Sequence, residues 1–383
     1  MAAYLDHNAT TALDERVLQA MLPYLREQYG NPSSLHQPGR RARAALDTAR
    51  EQVAALVGAH PSQVVFTSGG TEANNLAVKG VAARRAPGLL ALSAAEHASV
   101  MGPAQALARQ GWQLEQVALE ACGQLDADSL QSVLASRPAL LALMMANNET
   151  GVLFDVAEVA PAAREAGAVV LCDAVQAVGK LAVDFAACGA HLMSLSAHKI
   201  YGPKGAGALI VDKALDIEPL LHGGGQEKGR RAGTENVAAV VGFGKAAELA
   251  LAELQQRCTQ MRELQRHLEQ RLRAELAKIV LFGAEAERLP NTTYFAIPGI
   301  DGETLLGTLD QAGMAVASGS ACGSGDVDPS HVLLAMGVDR TLASAAIRVS
   351  LGKDTRREEI DAFVDQLKTQ VKTLQGFGSL ACA

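Results

Sequence analysis

Between residues 60 and 215, short apolar runs alternate with helix-like stretches, and this alternation constrains the fold more than any other feature of the sequence. The runs are QVVFT (63–67), LLALS (89–93), LLALMMA (140–146), AVVLCDA (168–174), HLMSLS (191–196) and GALIVD (207–212). Each is short and almost wholly apolar, as strands covered on both faces are. Between most of them lie segments such as NLAVKGVAARR and AEVAPAAREAG, whose composition favours helix. The pattern predicts a parallel-rich α/β sheet with helices on both faces. A long helical segment is predicted at about 237–278, where Leu251, Leu254, Cys258, Met261, Leu264, Leu268, Leu272 and Leu276 recur three or four apart as an apolar stripe. The alternation then restarts with TTYFAI, a helix from about 302, MAVAS, a loop, a helix at 330–337, AAIRVSL and a last helix at about 356–374. This predicts a second, smaller α/β domain joined to the first by the long helix.

With 383 residues, 49% of them hydrophobic, the chain can build a large core and fits two domains. Its net charge of −7 argues against non-specific nucleic-acid binding, which needs basic patches, but leaves room for one small anion held at a point. No run is long and apolar enough to span a bilayer, and the start, MAAYLDHNATT, lacks a basic region followed by an apolar stretch. The six cysteines form no C-x-x-C pair and show no metal-ligand spacing, so no metal site is expected. The expectation is a reducing cytoplasm with mostly inert, buried thiols. Cys322 stands apart, set in ASGSACGSGDVDP (317–329), where small residues predict an exposed thiol on a flexible arm.

In open α/β sheets, ligands bind beyond the carboxyl ends of the strands. After QVVFT, Ser68, Gly69 and Gly70 turn sharply and Thr71 opens a helix. This is either a phosphate cradle or simply a tight strand-to-helix turn. After AVVLC comes Asp173, predicted to be partly buried and to need a partner, with Gln176 able to donate from the same turn. After HLMSLS comes AHKIYGPKG, where Lys199 follows a buried strand directly. A lysine desolvated there becomes a nucleophile for carbonyls, whereas Lys204 nearby has the setting of an ordinary surface lysine. NNETG follows LLALMMA, and His97 follows LLALS; taken alone, such a histidine is more often structural than catalytic. A phosphate cradle, a buried Asp and a reactive Lys on adjacent strand ends match the needs of pyridoxal 5′-phosphate: the lysine bonds its carbonyl and the acid pairs with its ring nitrogen. No dinucleotide fingerprint competes, because GxGxxG after a strand is missing.

The ordered motifs YLDHNATT, GNPSSLH, FTSGGTEANN, EH at 96–97, ANNETG, DAVQAVGK, SLSAHKIYGPKG, HGGG, RRAGTEN and SGSAC…DPSHVLLAMG run from residue 4 to about 352. Together they resemble the cysteine desulfurases of the NifS/IscS type, in the class-V aminotransferase family of fold-type-I enzymes. The resemblance implies an α/β fold with three parts: an N-terminal segment (1–14) packing with the small domain, a large cofactor-binding domain (15–255) with a mixed, mostly parallel sheet, and a smaller C-terminal α/β domain (256–383) carrying the Cys322 loop. It implies removal of sulfur from L-cysteine to give L-alanine and an enzyme persulfide, passed on to an acceptor such as an iron–sulfur scaffold protein. It also implies a homodimer. By motif, Lys199 would hold the cofactor, Asp173 would pair with the ring nitrogen, and Gln176 would reach the ring oxygen. Gly70, Thr71, Ser196 and His198 would hold the phosphate, with Thr234 reaching it from the other subunit. Asn148 would lie beside the ring oxygen and the substrate. His97 would stack on the ring and move protons, Arg348 would clamp the substrate carboxylate, and Cys322 would accept the sulfur. Only a thiolate is nucleophilic, so Cys322 needs a neighbouring base, and His97 is the candidate. Ala317 and Ala197 depart from the family's frequent Ser and Gly without removing a group the chemistry needs. A related lyase for selenocysteine or cysteine sulfinate, or an aminotransferase of the same fold, would share most of these residues but need no mobile thiol. A non-enzymatic sulfur-transfer scaffold would not need Lys199.

Overall fold

The computed structural model describes residues 2–318 and 329–381, with side chains through residue 375. Twelve strands occur in it: β1 (Ala3–Tyr4), β2 (Val64–Thr67), β3 (Leu89–Ser93), β4 (Gln113–Val117), β5 (Leu140–Met144), β6 (Val169–Asp173), β7 (Leu192–Ser196), β8 (Gly207–Val211), β9 (Val280–Leu281), β10 (Thr292–Ala296), β11 (Met314–Ala315) and β12 (Ala346–Ser350). Seven of them form one sheet in the order β2-β8-β7-β6-β5-β3-β4. β3 through β7 pair in parallel, while β8 runs antiparallel to both its neighbours. The carboxyl ends of β2, β3, β5, β6 and β7 therefore all open on the same edge.

The sheet is buried on both faces, and side-chain alternation shows it. Phe66, Leu141, Leu143, Val170, Cys172, Met193, Leu195 and Ile210 belong to one apolar cluster, while their alternates Val65, Leu140, Ala142, Val169, Leu171, Leu192 and Leu209 belong to another. Each large apolar side chain removed from water contributes about 1.5–3 kcal/mol, which is why these runs are almost wholly apolar, the buried Ser194 inside β7 being an exception. β4 is the exception. It lies at the edge with three of its five residues exposed, and its mixed sequence QLEQV hides it from a search for apolar runs.

The segment predicted as one long helix is two, Val237–Ala252 and Leu254–Glu275, broken at Glu253 (φ −104°, ψ 6°). The first half packs tightly against the N-terminal helices: a Cβ on Gly242 would lie 2.6 Å from Met21 Sδ, and one on Gly244 2.6 Å from Ala49 Cα. The stripe also changes character at the break. Leu251 is exposed and Cys258 half-buried, whereas Met261, Leu268, Leu272 and Leu276 are buried. The last three join Phe295, Ile347, Val349, Phe363 and Leu367 in a third cluster, together with Ala3 and Leu5. That cluster underlies β10, which pairs antiparallel with β12 and β9. β1 pairs in parallel with β11, so the first residues of the chain are built onto its last third. The final helix extends to Ala381, beyond the expected end near 374.

Among the described residues, no helix is long and apolar enough to cross a membrane. Cys172 and Cys188 are buried, as expected, while Cys122 and Cys258 are only half-buried. Cys322 and Cys382 lie outside the described residues.

Candidate active site

The shared strand edge lines a cavity of about 710 Å³. Gly70, Thr71, His97, Asn148, Asp173, Gln176, Ser196, His198, Lys199 and Arg348 all border it, so ten positions singled out along 279 residues of sequence converge here. Its size is right for a bound cofactor and a small substrate. Thr234 is exposed and is not among the bordering residues, although its segment is tied to the glycine turn by the ion pair of Arg231 with Glu72 (2.9 Å).

At the end of β2, Gly69 takes φ +152° and the helix Gly70–Ala82 begins. Gly70 has little room for a side chain, since a Cβ would sit 2.9 Å from Val175 Cγ2. Glu72 accepts from Ser68 N (2.8 Å) and stiffens the turn. A helix N-terminus with small residues presents N–H groups to an anion. Across the opening, the buried Ser196 Oγ has no hydrogen-bond partner among the described residues. Burial, with Lys199 and Lys204 nearby, pushes His198 down to about 4.

At the end of β6, Asp173 is buried. Its Oδ2 accepts from Asn74 Nδ2 (2.7 Å) and its Oδ1 from Val175 N (2.9 Å). The partner expected from the same turn, Gln176, does not contact it. Gln176 Nε2 donates to Asn8 O (3.0 Å), and its Oε1 accepts from Lys180 Nζ (2.7 Å). Besides Val175 N in the turn itself, the side-chain donor to Asp173 comes from the helix after β2, a long-range contact.

Beyond β7, the Lys199 amine donates to Asn8 O and to Ala9 O (2.9 Å). Burial and the nearby Arg348 lower its pKa to about 8. This is the desolvated lysine that the sequence position implied.

His97 caps the helix Ala98–Ala108: its Nδ1 accepts from Ser99 N (3.1 Å). The neutral ring therefore carries its proton on Nε2. Burial and the neighbouring Lys199 and His331 lower its pKa, partly offset by Asp173. His97 is thus committed at one nitrogen and is not a free base at both.

Arg348, in β12, donates from Nη2 to Asp6 Oδ1 (2.7 Å) and from Nη1 to Asn148 O (3.0 Å). Asn148 is fixed by a tight turn in which Asn147 Oδ1 accepts from Glu149 N, Thr150 N and Thr150 Oγ1, and Gly151 takes φ +78°. The chain flanking residues 319–328 is anchored at the same cavity. Ala317 N donates to Arg348 O (3.1 Å) and Tyr294 Oη donates to Ser318 O (3.1 Å); on the far side, Ser330 Oγ donates to Glu149 Oε2 and His331 Nε2 contacts Glu96 O (3.0 Å). Ser330 also caps the helix His331–Ala335, its Oγ accepting from Leu333 N (3.1 Å). Burial raises Glu149 to about 7, and burial together with Asp173 raises Glu96 to about 8.

Several residues of the site escaped the sequence reading. Asn8 is its hub. Asn8 O accepts from Gln176 and Lys199, Asn8 Oδ1 accepts from Lys180 and Asn291, and Asn8 Nδ2 donates to Asn148 O and Thr292 Oγ1. Asp6, Asn74, Glu96 and Lys180 were missed as well. All of them lie within the ordered motifs YLDHNATT, FTSGGTEANN, EH and DAVQAVGK, but nothing in their immediate neighbourhood marks a role for them.

The Aminotransferase class-V family model matches residues 3–363. The chain belongs to the class-V aminotransferase family. Pyridoxal 5′-phosphate is the cofactor of this class-V enzyme. The residues present fit it: a helix N-terminus and an orphaned hydroxyl for a phosphate, a buried carboxylate for a ring nitrogen, and a desolvated lysine for a carbonyl. Among class-V relatives, a "Cysteine desulfurase" of Enterobacter agglomerans is 44% identical over 374 residues, covering 97% of this chain and 93% of the relative. The solved structure of a "NifS-like protein" superposes with a TM-score of 0.91 at 35% identity, covering 98% of this chain and 100% of that one. A second, "SspA in complex with cysteine", superposes with a TM-score of 0.80 at 30% identity over 91% of this chain and 99% of that one.

Proposed function

We propose that this class-V enzyme is a cysteine desulfurase, taking sulfur from L-cysteine to form L-alanine and a persulfide on Cys322. The carrying observation is the convergence of Lys199, Asp173, His97 and Arg348 on one cavity whose rim also anchors both ends of the Cys322 segment. The full-length likeness to cysteine desulfurases, and the cysteine bound by a structural relative, support the same substrate. A lyase or aminotransferase of this fold would not need the Cys322 thiol.

When bound, the cofactor withdraws electrons from the substrate's α carbon and makes its sulfur open to attack by a thiolate. The chain's own residues do the rest. Asp173, buried and held by Asn74, would pair with the cofactor's ring nitrogen. Gln176 offers an amide N–H to the ring oxygen. Gly70, Thr71, Ser196 and His198 hold the phosphate, and Thr234 completes it from the second subunit of a homodimer. The Lys199 amine is neutral just above pH 8, so it can both bond the carbonyl and move the α proton. His97 presents its Nε2 N–H to the cavity as a donor, and to serve as a base for the Cys322 thiol it would first shift that proton to Nδ1, giving up the bond from Ser99 N and freeing the Nε2 lone pair. Arg348, already aimed by Asp6 and Asn148, clamps the substrate carboxylate, with Asn148 beside it. The chain divides at about residue 255, with residues 1–14 built onto the C-terminal part; the third apolar cluster and the β1–β11 pairing support this division. The persulfide leaves for an acceptor such as an iron–sulfur scaffold protein.

The test is production of alanine and sulfide from L-cysteine under reducing conditions. Equal yields are expected for the wild type. Cys322→Ala is expected to keep cofactor and substrate binding yet release no sulfide. Undiminished sulfide from that variant would favour a lyase, and full activity in Lys199→Ala would end the cofactor reading.

A further inference from the structure

A lysine amine lies wholly inside the protein behind the cavity. Lys180 is 5% exposed, and among the described residues its amine makes two hydrogen bonds, both to amide oxygens, Asn8 Oδ1 (3.1 Å) and Gln176 Oε1 (2.7 Å). Burying an ammonium without an anion is costly, so such a position needs a reason. Two acceptors are what a neutral amine, with two N–H groups, can satisfy. The backbone holds the residue there. The turn 174–181 doubles back on itself through Gly179 (φ +74°), where a Cβ would meet Ile200 Cγ2 at 2.7 Å, and Cys258 Sγ donates to Lys180 O (3.0 Å).

The consequence falls on Gln176. An amide in a pocket can be turned either way round, and its neighbours decide which end faces the ligand. Lys180 occupies the Gln176 oxygen from behind, while Asn8 O takes one of its N–H groups. The second N–H is the group left over, and Gln176 borders the cavity. Without Lys180 the amide oxygen would be buried with no partner, and the side chain would turn to find one.

We propose that Lys180 is a positioning residue that holds the Gln176 amide so that it presents a hydrogen-bond donor, not an acceptor, to the ring oxygen of the cofactor. This rests on the cofactor reading above. A donor on that oxygen draws charge from it, so the proton shared between the oxygen and the nitrogen linking Lys199 is held less tightly. Loss of the donor raises the pH at which that proton leaves.

The experiment is a spectrophotometric pH titration of the visible band of the cofactor-loaded protein. Lys180→Met deletes the donor at near-constant volume, and Lys180→Leu serves should methionine not fold. The midpoint is expected to rise by about one pH unit, the scale of one hydrogen bond to a charged group. Lys180→Gln, which can still donate to Gln176, is expected to return most of that shift. In a Gln176→Ala background, Lys180→Met is expected to add nothing. An unchanged midpoint in Lys180→Met overturns the inference. So does an equal shift in the Gln176→Ala background, because Lys180 would then act on Lys199 directly as a charge. A wild-type protein without any Lys199-dependent band would instead remove the cofactor reading, a result distinct from either.

Discussion

At the scale of single residues, the site is organised by desolvation. Lys199 is the clearest case. Burial and the Arg348 charge bring its pKa down to about 8, against an ordinary value of 10.5. Only the neutral amine attacks a carbonyl, so capture of pyridoxal 5′-phosphate by the cofactor-free protein should accelerate about tenfold per pH unit below 8 and level off above it. Stopped-flow absorbance at several pH values checks this. Arg348 supplies part of the depression, so Arg348→Met should move the bend to higher pH. A bend that stays in place would show that burial alone sets the amine. The same guanidinium is held by Asp6 at 2.7 Å. Asp6→Asn keeps an oxygen at that place and removes the charge, and KM for cysteine should change more than kcat, because the guanidinium's aim, not the chemistry, is disturbed.

Elements matter here because close approach between them shapes the phosphate end of the cavity. β8 runs against the direction of its neighbours and places Gly207 beside the glycine turn after β2: a Cβ there would lie 2.6 Å from Gly69 Cα and C. Those contacts are backbone and cannot yield, so Gly207→Ala must push the turn away from Ser196. The expected result is cofactor affinity at least about tenfold weaker by equilibrium dialysis, since the donors at the helix start lose their aim. Unaltered affinity would place the phosphate elsewhere. Gly207 also shows what could be seen in sequence and what could not. The buried strands and the residues at their ends were legible, because apolar runs mark two-sided burial and ligands gather at carboxyl ends. The reversal of β8 was not, because a strand's direction leaves no mark on a run of apolar residues. β4 was invisible because an edge strand can be polar. The break at Glu253 was hidden because leucine spacing continues across it while Glu253 is held by Arg257 four residues on and by Arg16, the latter a contact made only in three dimensions. Asn8 and Asn74 stand in motifs that carry the resemblance, but their roles are not written locally, since their partners lie 99 or more positions away along the chain, apart from Ser99 for Asn74.

For the whole molecule, the site is a place where stability is given up, and the cost depends on pH. Glu96 is buried, with Met144 N donating to its Oε1 (2.6 Å) while Oε2 has no partner among the described residues. Burial, and then Asp173, raise its pKa to about 8 from 4.5. Unfolding returns it to water at the lower value. Between pH 4.5 and 8 the folded protein keeps a proton that the unfolded chain has lost, so this group's contribution to stability falls as pH rises through that window and is level outside it. Glu149, raised to about 7, adds a slope of the same sign. Lys199 acts oppositely and later: between about 8 and 10.5 the unfolded chain holds the proton that the folded one has released, so stability is regained as pH rises there. Glu96→Gln copies the protonated acid in shape and keeps the oxygen that accepts from Met144. In the cofactor-free protein its thermal midpoint should match the wild type near pH 5, exceed it by a few degrees near pH 8, and fall less steeply in between. Differential scanning at half-unit steps reads this directly, and two parallel curves would mean that Glu96 ionises as easily inside the protein as in water, with burial in this pocket carrying no electrostatic cost.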